Sequence, residues 1–416
     1  MEESCTILKG GNLIDGNGGS QVENSVIVIK GERIDVVGTI DSVPIPPEGK
    51  VVDISGKTVM PGLIDAHCHP AGTKSLNPMT WIVDPPELRA IRSSLDMWKL
   101  IDSGFTTIRD CGNSLSLHLK KAIEEGSING PRVFCAGRAI TQTGGHFDMP
   151  HSLPLTWVKE RGFARIADGV DECRKAVREQ LRAGADFIKI ATTGGVMSER
   201  SFPSVAQFSV EEIKAIVEEA HNAGVKVSSH AQGTKGIKNA LLGGVDTIEH
   251  GIFLDDEAIE KMIKQNTYLI PTLAIAEAII TGGIEAGVPE VSLNKAREVQ
   301  GINLASFVRA WKAGVKIGLG TDYMSDPMTP MGKNAVELEL YVKAGLSPME
   351  AIVCATKNNS EALGINDTLG TLEAGRLADL IIVCGNPLNN IGLLKDKRNI
   401  MRVYKGGEMI QRLNID

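Results

Sequence analysis

An apolar run from Val59 to Ile64 leads into Asp65-Ala66-His67-Cys68-His69, and this junction constrains the fold more than any other part of the chain. Residues two positions apart in a β-strand point to the same face, so His67 and His69 can aim two imidazoles at one point. Neutral imidazole is the commonest protein ligand for zinc-like metals. Strand alternation turns Cys68 to the opposite face, where we expect it to pack. The pattern predicts a buried strand that ends at a metal site.

Three further strand-like runs end in, or lead to, residues that can bind a metal. The runs Val225 to His230 and Val245 to His250 each end in histidine, and Val315 to Leu319 leads through Gly320-Thr321 to Asp322. Each run contains β-branched residues and follows a glycine that comes after a helical stretch. A lone histidine is usually a surface or core residue, but 4 of the 8 histidines at strand ends favour metal binding. Asp322 could instead cap a helix; its position after the last strand favours a metal ligand and proton shuttle.

Strand-like and helical runs alternate from about Asp65 to Leu363, which is typical of a parallel α/β fold. The amphipathic stretches Val210 to Asn222 and Asp255 to Lys264 are two of the predicted helices. Eight such units predict a (β/α)8 TIM barrel over residues 61–364, with its chemistry at the carboxyl ends of the strands. The eight candidate strands are Leu63 to His67, Thr106 to Asp110, Arg132 to Ala136, Phe187 to Ala191, Lys226 to His230, Asp246 to His250, Tyr268 to Thr272 and Val315 to Leu319.

Both ends of the chain differ from the middle in their sequence pattern. Short β-rich runs separated by Gly or Pro turns occur before residue 61 and again after residue 364. Neither end has enough apolar surface for a core of its own. We therefore expect residues 1–60 and 365–416 to form one small discontinuous β-sandwich domain. The runs are Ser25 to Ile29, Arg33 to Val37, Lys50 to Asp53, Asp379 to Val383 and Ile400 to Tyr404.

Composition narrows the functional classes. A formal net charge of -7 argues against a nucleic-acid partner or an anionic membrane, and no apolar run is long enough to span a bilayer. The start, Met1 to Cys5, lacks the basic and apolar regions of a signal peptide, so we expect a cytoplasmic protein. The 7 cysteines include no CxxC pair, which favours reduced thiols. We also expect a homo-oligomer.

Lys189 is the most diagnostic single residue, because it lies inside the fourth candidate strand, Phe187 to Ala191. A buried ammonium is costly unless it is paired or chemically altered. A neutral amine can add carbon dioxide, and the resulting carbamate has two oxygens that can bridge two cations. The alternative is a lysine whose ammonium reaches past the end of the strand into water. The histidines and Asp322 at neighbouring strand ends favour the bridge.

At these residues the chain resembles the amidohydrolase superfamily, in the binuclear group that uses a carboxylated lysine. The resemblance covers nearly the whole chain, including Pro61 to His69 and the stretch Gly370 to Leu380. It implies that His67 and His69 bind one divalent metal ion with Asp322, and that His230 and His250 bind a second. Carboxylated Lys189 would bridge the two ions, and zinc is the expected metal.

Three further stretches resemble the prolidase-like and imidazolonepropionase-like branch, whose members include metal-dependent dipeptidases and carboxypeptidases. They are Gly104 to Asp110, Thr143 to His146 and Thr193 to Ser198. The resemblance implies that His146 contacts the substrate near the scissile carbonyl and is a catalytic residue beside Asp322. Related chains often carry Tyr or His where this chain has Gln232, which can donate a hydrogen bond but cannot transfer a proton.

The implied reaction is metal-assisted hydrolysis, in which two cations activate a water and Asp322 passes a proton to the leaving amine. The substrate would be a dipeptide of the Xaa-Pro or Xaa-hydrophobic type, or another small molecule. We expect a free α-carboxylate on it to be required, with Arg109, Arg138, His146 and Arg200 as candidate cations. The alternatives are an amidase, lactamase or carbamate hydrolase, and a non-catalytic assembly protein. A deaminase is less favoured, because many deaminases of this superfamily lack the bridging lysine.

Overall fold

The computed structural model describes residues 5–412, in which two groups of β-strands are joined by helices. The strands are β1 (Cys5–Leu13), β2 (Val22–Lys30), β3 (Arg33–Thr39), β4 (Lys50–Asp53), β5 (Lys57–Pro61), β6 (Leu63–Cys68), β7 (Phe105–Asp110), β8 (Arg132–Cys135), β9 (Ala139–Thr141), β10 (Ala164–Ile166), β11 (Phe187–Ala191), β12 (Lys226–Ala231), β13 (Thr247–His250), β14 (Tyr268–Ile270), β15 (Leu380–Cys384), β16 (Ile400–Lys405) and β17 (Glu408–Met409).

The helices lie mostly between the strands of the middle region. They are α1 (Pro78–Val83), α2 (Pro86–Asp102), α3 (Leu115–Glu124), α4 (Leu155–Arg161), α5 (Val170–Ala183), α6 (Val210–Asn222), α7 (Thr234–Gly243), α8 (Asp256–Gln265), α9 (Leu273–Gly282), α10 (Glu290–Ala313), α11 (Val336–Lys343), α12 (Pro348–Val353) and α13 (Asn359–Leu363). A π-helical turn, Cys354–Asn358, joins the last two. Within residues 5–412 no helix is both long and apolar enough to cross a bilayer.

The two ends of the chain form one mixed sheet, as the sequence predicted. Its strand order is β17-β16-β15-β5-β1-β2-β3, with β4 also paired to β1. Successive residues of β2 point to opposite faces, and Ile27 packs in one apolar cluster while Val28 packs in another. Both faces of this strand are therefore covered. A two-layered sandwich, and the domain limits 1–60 plus 365–416 and 61–364, stay predictions.

The middle of the chain contains parallel sheets, and seven of the eight predicted strands are present. One sheet has the order β6-β7-β8 and the other has the order β10-β9-β11-β12-β13-β14. The short strands β9 and β10 were not predicted, because three residues are too few to show a period.

The eighth predicted strand, Val315 to Leu319, is not a strand in the structure; it is tied by isolated contacts to strands on both sides. Ile317 forms a single parallel bridge with Leu269 of β14. Farther along, the N–H of Ala66 in β6 donates to Leu319 O at 2.9 Å. Asn359 substitutes for a longer ladder, because its Nδ2 donates to both Ile64 O (2.6 Å) and Leu319 O (2.8 Å). The segment thus connects β14 to β6 through side chains as well as through backbone.

Glycines at helix ends position the strands that follow. Gly184, Gly244 and Gly314 cap α5, α7 and α10 with φ of 98°, 90° and 96°, a conformation that costs glycine little. Each turn brings the chain from a helix straight into the next extended run. Because the strands are parallel, their carboxyl ends, which carry the predicted metal ligands, lie at one edge.

Candidate metal centre

The predicted histidine and aspartate ligands converge at the carboxyl ends of the parallel strands. Asp322 Oδ1 lies 3.4 Å from Nε2 of His67 and 3.2 Å from Nε2 of His69. The ring of His250 is 5.1 Å from that of His67 and 4.6 Å from that of His230, between centroids. Single ligand atoms of His67, His250 and Asp322 all lie within 4.8 Å of one another. The cluster has the residue types and the spacing of a metal site.

Three of the four imidazoles are each oriented by a hydrogen bond at one ring nitrogen. His67 Nδ1 donates to Glu249 Oε2 at 2.6 Å, and His250 Nδ1 is hydrogen-bonded to Thr272 Oγ1 at 2.7 Å, so their Nε2 atoms are free for a metal. His230 uses Nε2 to donate to Gly194 O at 3.1 Å, which leaves Nδ1. Such partners fix the tautomer and the ring orientation of metal-binding histidines.

The protonation of the imidazoles differs between the two sides of the cluster. Burial is the main cause that lowers the pKa of His230 and of His250 well below the usual range, so both rings are neutral and able to bind metal. Burial also acts on His69, but its neighbours Asp110 and Asp322 raise the pKa of His69 to about 9. Metal binding on that side would therefore release a proton.

Two of the predicted ligands have an unusual backbone conformation. His250 and Asp322 have positive φ values of 72° and 58°, which non-glycine residues adopt rarely. The Asp322 N–H donates to His67 O, which holds the turn against the HxH strand. Burial opposes ionisation of Asp322, yet the imidazole of His67 holds the pKa of its carboxyl well below the usual range. Strained backbone of this kind is found most often at functional sites.

Lys189 lies in β11 with only 1% of its surface exposed. Its Nζ has no hydrogen-bond partner among residues 5–412, although buried polar groups almost always have one. Lys189 is also close enough for its positive charge to lower the pKa of His230 and His250. An unpartnered amine beside neutral imidazoles and a carboxylate is chemically suited to become a bridging carbamate, so the residues present fit a binuclear centre.

Glu249 supports the site from below and was missed by sequence reasoning. Its carboxylate is fully buried and accepts hydrogen bonds from Arg109 Nη2 (2.7 Å) and Ser228 Oγ (2.7 Å), besides His67 Nδ1. Burial opposes its ionisation, but the Arg109 guanidinium holds the pKa of Glu249 well below the usual range. A charged residue inside a buried strand was the signal that could have revealed it, as it did for Lys189.

The cleft above the ligands has two lobes. The first, the aromatic lobe, is lined by Trp81, Phe147, Met149, Phe163 and Met324. The second, the amide lobe, is lined by Gln232, Ile252, Ile275, Ile279 and Asn303. His146, His230, His250 and Asp322 line both lobes, so a substrate spanning them would cross the ligand cluster.

His146, the predicted substrate contact, lines both lobes of the cleft. Its ring stacks on His230 at 4.0 Å between centroids and is 6% exposed. Burial lowers the pKa of His146 to about 3, so the ring is neutral at physiological pH. Gly195 makes this packing possible, because a Cβ there would lie 2.2 Å from His146 Cε1. His146 can exchange hydrogen bonds with a substrate, but it offers no positive charge to a carboxylate.

The predicted arginines do not line the cleft. Arg109 is buried beneath it, where it binds Glu249 and donates from Nε to Ala66 O at 2.5 Å. Arg138 lines a separate surface cavity with Lys159 and Glu179, and Arg200 is exposed on a loop. Among the described residues that line the two lobes there is no lysine or arginine.

The loop that covers His146 and His230 is anchored from α10. The ammonium of Lys295 donates to Ser198 O at 2.6 Å and Ser201 O at 2.7 Å, and it lies 4.6 Å from the centre of the Phe202 ring. Lys295 is 5% exposed and lines an outer groove rather than either lobe. It therefore positions the loop rather than the substrate.

Comparison with known proteins identifies similarity along the full chain. The family model described as Amidohydrolase family matches residues 58–410. Ochratoxinase from Aspergillus niger is 34% identical over 432 residues, covering 99% of this chain and 87% of that protein. A prolidase complexed with N-methylphosphonate-L-proline is 36% identical with a TM-score of 0.92, covering 99% of this chain and 100% of that one. A Xaa-Pro dipeptidase with bound methionine is 36% identical with a TM-score of 0.89, covering 98% and 100%.

Proposed function

Because the chain belongs to the amidohydrolase family, we propose that it hydrolyses the amide bond of a small substrate with apolar groups on both sides, of the Xaa-Pro or Xaa-hydrophobic dipeptide type. The chain is a hydrolase of the prolidase-like branch that acts on C–N bonds. The observation that carries the proposal is the cluster of ligand residues and unpartnered Lys189 beneath a cleft with two apolar lobes.

We also infer that the parallel strands close into a (β/α)8 barrel. Two sets of backbone hydrogen bonds support closure. The Asp186 N–H, just before β11, donates to Cys135 O of β8 at 2.8 Å. On the other side, the segment after Val315 bonds to both β14 and β6. A closed barrel would set the relative positions of ligands that come from five different strands or turns.

The residues present fit two divalent metal ions, with zinc as the expected metal. His67, His69 and Asp322 would hold one, His230 and His250 the other, and carboxylated Lys189 would bridge them. Bound there, the ions would supply an activated water and polarise the scissile carbonyl.

The chain's own residues then account for proton transfer and orientation. Hydrolysis adds the oxygen of water to the carbonyl carbon, breaks the C–N bond and delivers a proton to the leaving amine. Asp322 is ionised and lies between the two HxH imidazoles, so its carboxylate can accept the proton of water and pass it to that amine. Neutral His146 lines both lobes, so we expect it to exchange a hydrogen bond with the substrate next to the scissile bond.

A second candidate, hydrolysis of a non-peptide amide, lactam or carbamate, is favoured by one observation. A carboxypeptidase must recognise a carboxylate, and the described lining of the cleft includes no lysine or arginine. A non-catalytic assembly protein is less favoured, because the predicted ligand side chains lie together in one cluster.

The test is a hydrolysis panel on protein incubated with zinc and bicarbonate. Dipeptides, N-acyl amino acids, lactams and carbamates are assayed beside the Asp322→Asn variant, which keeps an oxygen ligand but cannot accept the proton. We expect hydrolysis of apolar dipeptides and a loss of roughly 10²–10⁴-fold in kcat for the variant at unchanged thermal stability. Absence of hydrolysis across the panel, or an Asp322→Asn variant within a few-fold of wild type, would contradict the proposal.

A further inference from the structure

Besides the three histidines, Asp322 and Thr272, the amide lobe is lined by apolar residues and by two buried side-chain amides. Gln232 is 5% exposed and Asn303 is 4% exposed, and both lie among Ile252, Ile275 and Ile279. Neither Gln232 Oε1 nor Asn303 Oδ1 has a hydrogen-bond partner among residues 5–412. Two unpartnered acceptors in one apolar cavity are unusual, because such groups normally find a donor on folding.

Asn303 presents its oxygen in a fixed direction. The residue lies on α10, and its Nδ2 donates to Pro271 O at 3.1 Å, just after β14. With the nitrogen held by a carbonyl, Oδ1 is the amide atom left without a partner. The side chain is therefore prepared to accept a hydrogen bond rather than to donate one.

Gln232 is held by its main chain. Its N–H donates to Thr193 Oγ1 at 3.0 Å, and its carbonyl accepts from the Phe253 N–H at 2.8 Å. These bonds fix the residue two positions beyond His230, and its side chain lines the same lobe as His230, His250 and Asp322. Gln232 Oε1 is the second acceptor in the lobe.

We infer that the amide lobe selects an apolar substrate group that carries an N–H or O–H donor and no negative charge. The inference rests on the proposed function and names the kind of group that the site prefers. A carboxylate in this lobe would meet the unpartnered oxygens of Gln232 and Asn303 and the carboxylate of Asp322, with no lysine or arginine in the described lining. Lys295, also on α10, donates to Ser198 O and Ser201 O instead.

Two parts of a substrate could supply the donor, and paired substrates distinguish them. Leucyl-proline against 4-methylpentanoyl-proline removes the amino group on the acyl side, and N-acetyl-leucyl-proline restores an uncharged N–H. Leucyl-prolinamide against leucyl-pyrrolidide removes the N–H donors on the amine side. We expect the donor-bearing member of at least one pair to have a kcat/KM roughly 10-fold higher, because the analogue leaves a buried acceptor unpaired.

The Asn303→Leu variant tests whether the lobe causes that preference. We expect the ratio of kcat/KM within the pair to fall close to 1, while metal content and melting temperature stay near wild type. Gln232→Met should lower the same ratio. Val299→Ala is the matched control, since it changes an apolar residue of the same helix and lobe and should affect both members alike.

The outcomes separate the inference from the function on which it rests. Hydrolysis without donor preference in wild type, or a preference that survives Asn303→Leu, would overturn the inference and leave the proposed function standing. If no amide is hydrolysed, the proposed function fails and the inference fails with it.

Discussion

The residues of the candidate site are held in two ways, either by strand geometry or by hydrogen-bond partners far away in the chain. His67, His69, His230 and His250 were predictable because their positions follow from strand period and strand ends. Asn303 was not, and Glu249 could be recognised only as a charged residue inside a strand, because their roles depend on partners far away in sequence. Asn303 is oriented by a carbonyl 32 residues away, and Glu249 is ionised by an arginine 140 residues away. No local pattern contains such pairs.

The role of Lys189 gives a prediction at the residue scale. Lys189→Ala removes the amine that would carry the bridge, so we expect the variant to lose most of its bound metal and activity. Short carboxylic acids should partly restore both by supplying two oxygens. Metal analysis after incubation with zinc and bicarbonate is the measurement.

Lys226→Ala is the matched control, because this lysine lies in the neighbouring strand β12 but donates to Glu361 O at 2.8 Å. That variant should keep its metal. A fully metallated, active Lys189→Ala protein would show that the lysine is structural.

Among the elements, those with local end signals were predicted best. The predicted helix Val210 to Asn222 matches α6, whose Ser209 and Glu212 form a capping box. The start of α9 had no such signal, because its cap comes from another helix. Glu337 of α11 accepts the N–H groups of Leu273 and Ala274 at 2.8 Å each. Long-range contacts also hold the segment predicted as the eighth strand, Val315 to Leu319. There, side-chain hydrogen bonds from Asn359 take the place of a backbone ladder.

The cap of α9 predicts a pH dependence of stability. Burial raises the pKa of Glu337 to about 8, against an ordinary value of 4.5. Between pH 4.5 and about 8, the Glu337 carboxyl keeps its proton in the folded state and releases it in the unfolded state. The stabilisation that the protonated carboxyl gives to the folded state is therefore present below pH 4.5 and is lost as the pH rises through about 8. The unfolding free energy of wild type relative to Glu337→Gln should fall by up to about 1.4 kcal/mol per pH unit.

Urea unfolding at a series of pH values measures this difference. Glu339→Gln, on the same helix, is the control. Lys395 lowers the pKa of Glu339, so this carboxylate stays ionised. The difference in unfolding free energy between wild type and Glu339→Gln should therefore not change with pH. If the difference in unfolding free energy between wild type and Glu337→Gln also does not change with pH, Glu337 is ionised in the folded protein.

At the scale of the whole molecule, the terminal sheet runs directly into the strands that carry the predicted metal ligands. β5 of the sheet and β6 are separated by Gly62 alone, where a Cβ would lie 2.1 Å from Thr106 Oγ1. Asp379 joins the two regions again, since it binds Arg132 of β8 through two hydrogen bonds of 3.0 Å. Sequence patterns predicted that the ends pair, but not these contacts. A homo-oligomer and a cytoplasmic location stay predictions.

Loss of the Asp379 link should destabilise the fold. Asp379 is 4% exposed and also accepts the Gly406 N–H, so Asp379→Ala removes three hydrogen bonds to one carboxylate. Because hydrogen bonds to charged groups are the stronger kind, we expect the unfolding free energy to fall by about 2 kcal/mol. Denaturant unfolding of the zinc-loaded protein measures it. Glu408→Ala, at an exposed position of the same sheet, should match wild type, and an unchanged Asp379→Ala would refute the link.

The anchoring of the cleft loop by Lys295 has an evolutionary consequence. The lysine binds main-chain carbonyls, which every amino acid possesses, so the anchor places no demand on the identity of Ser198 or Ser201. Val196 and Met197 also lie on this loop and line the cleft, and their side chains take no part in these hydrogen bonds with Lys295. Descendants of this chain can therefore exchange side chains of the loop, and with them substrates, while the backbone and the predicted metal ligands stay in place. We expect new specificities to arise in this loop before they arise in the strands.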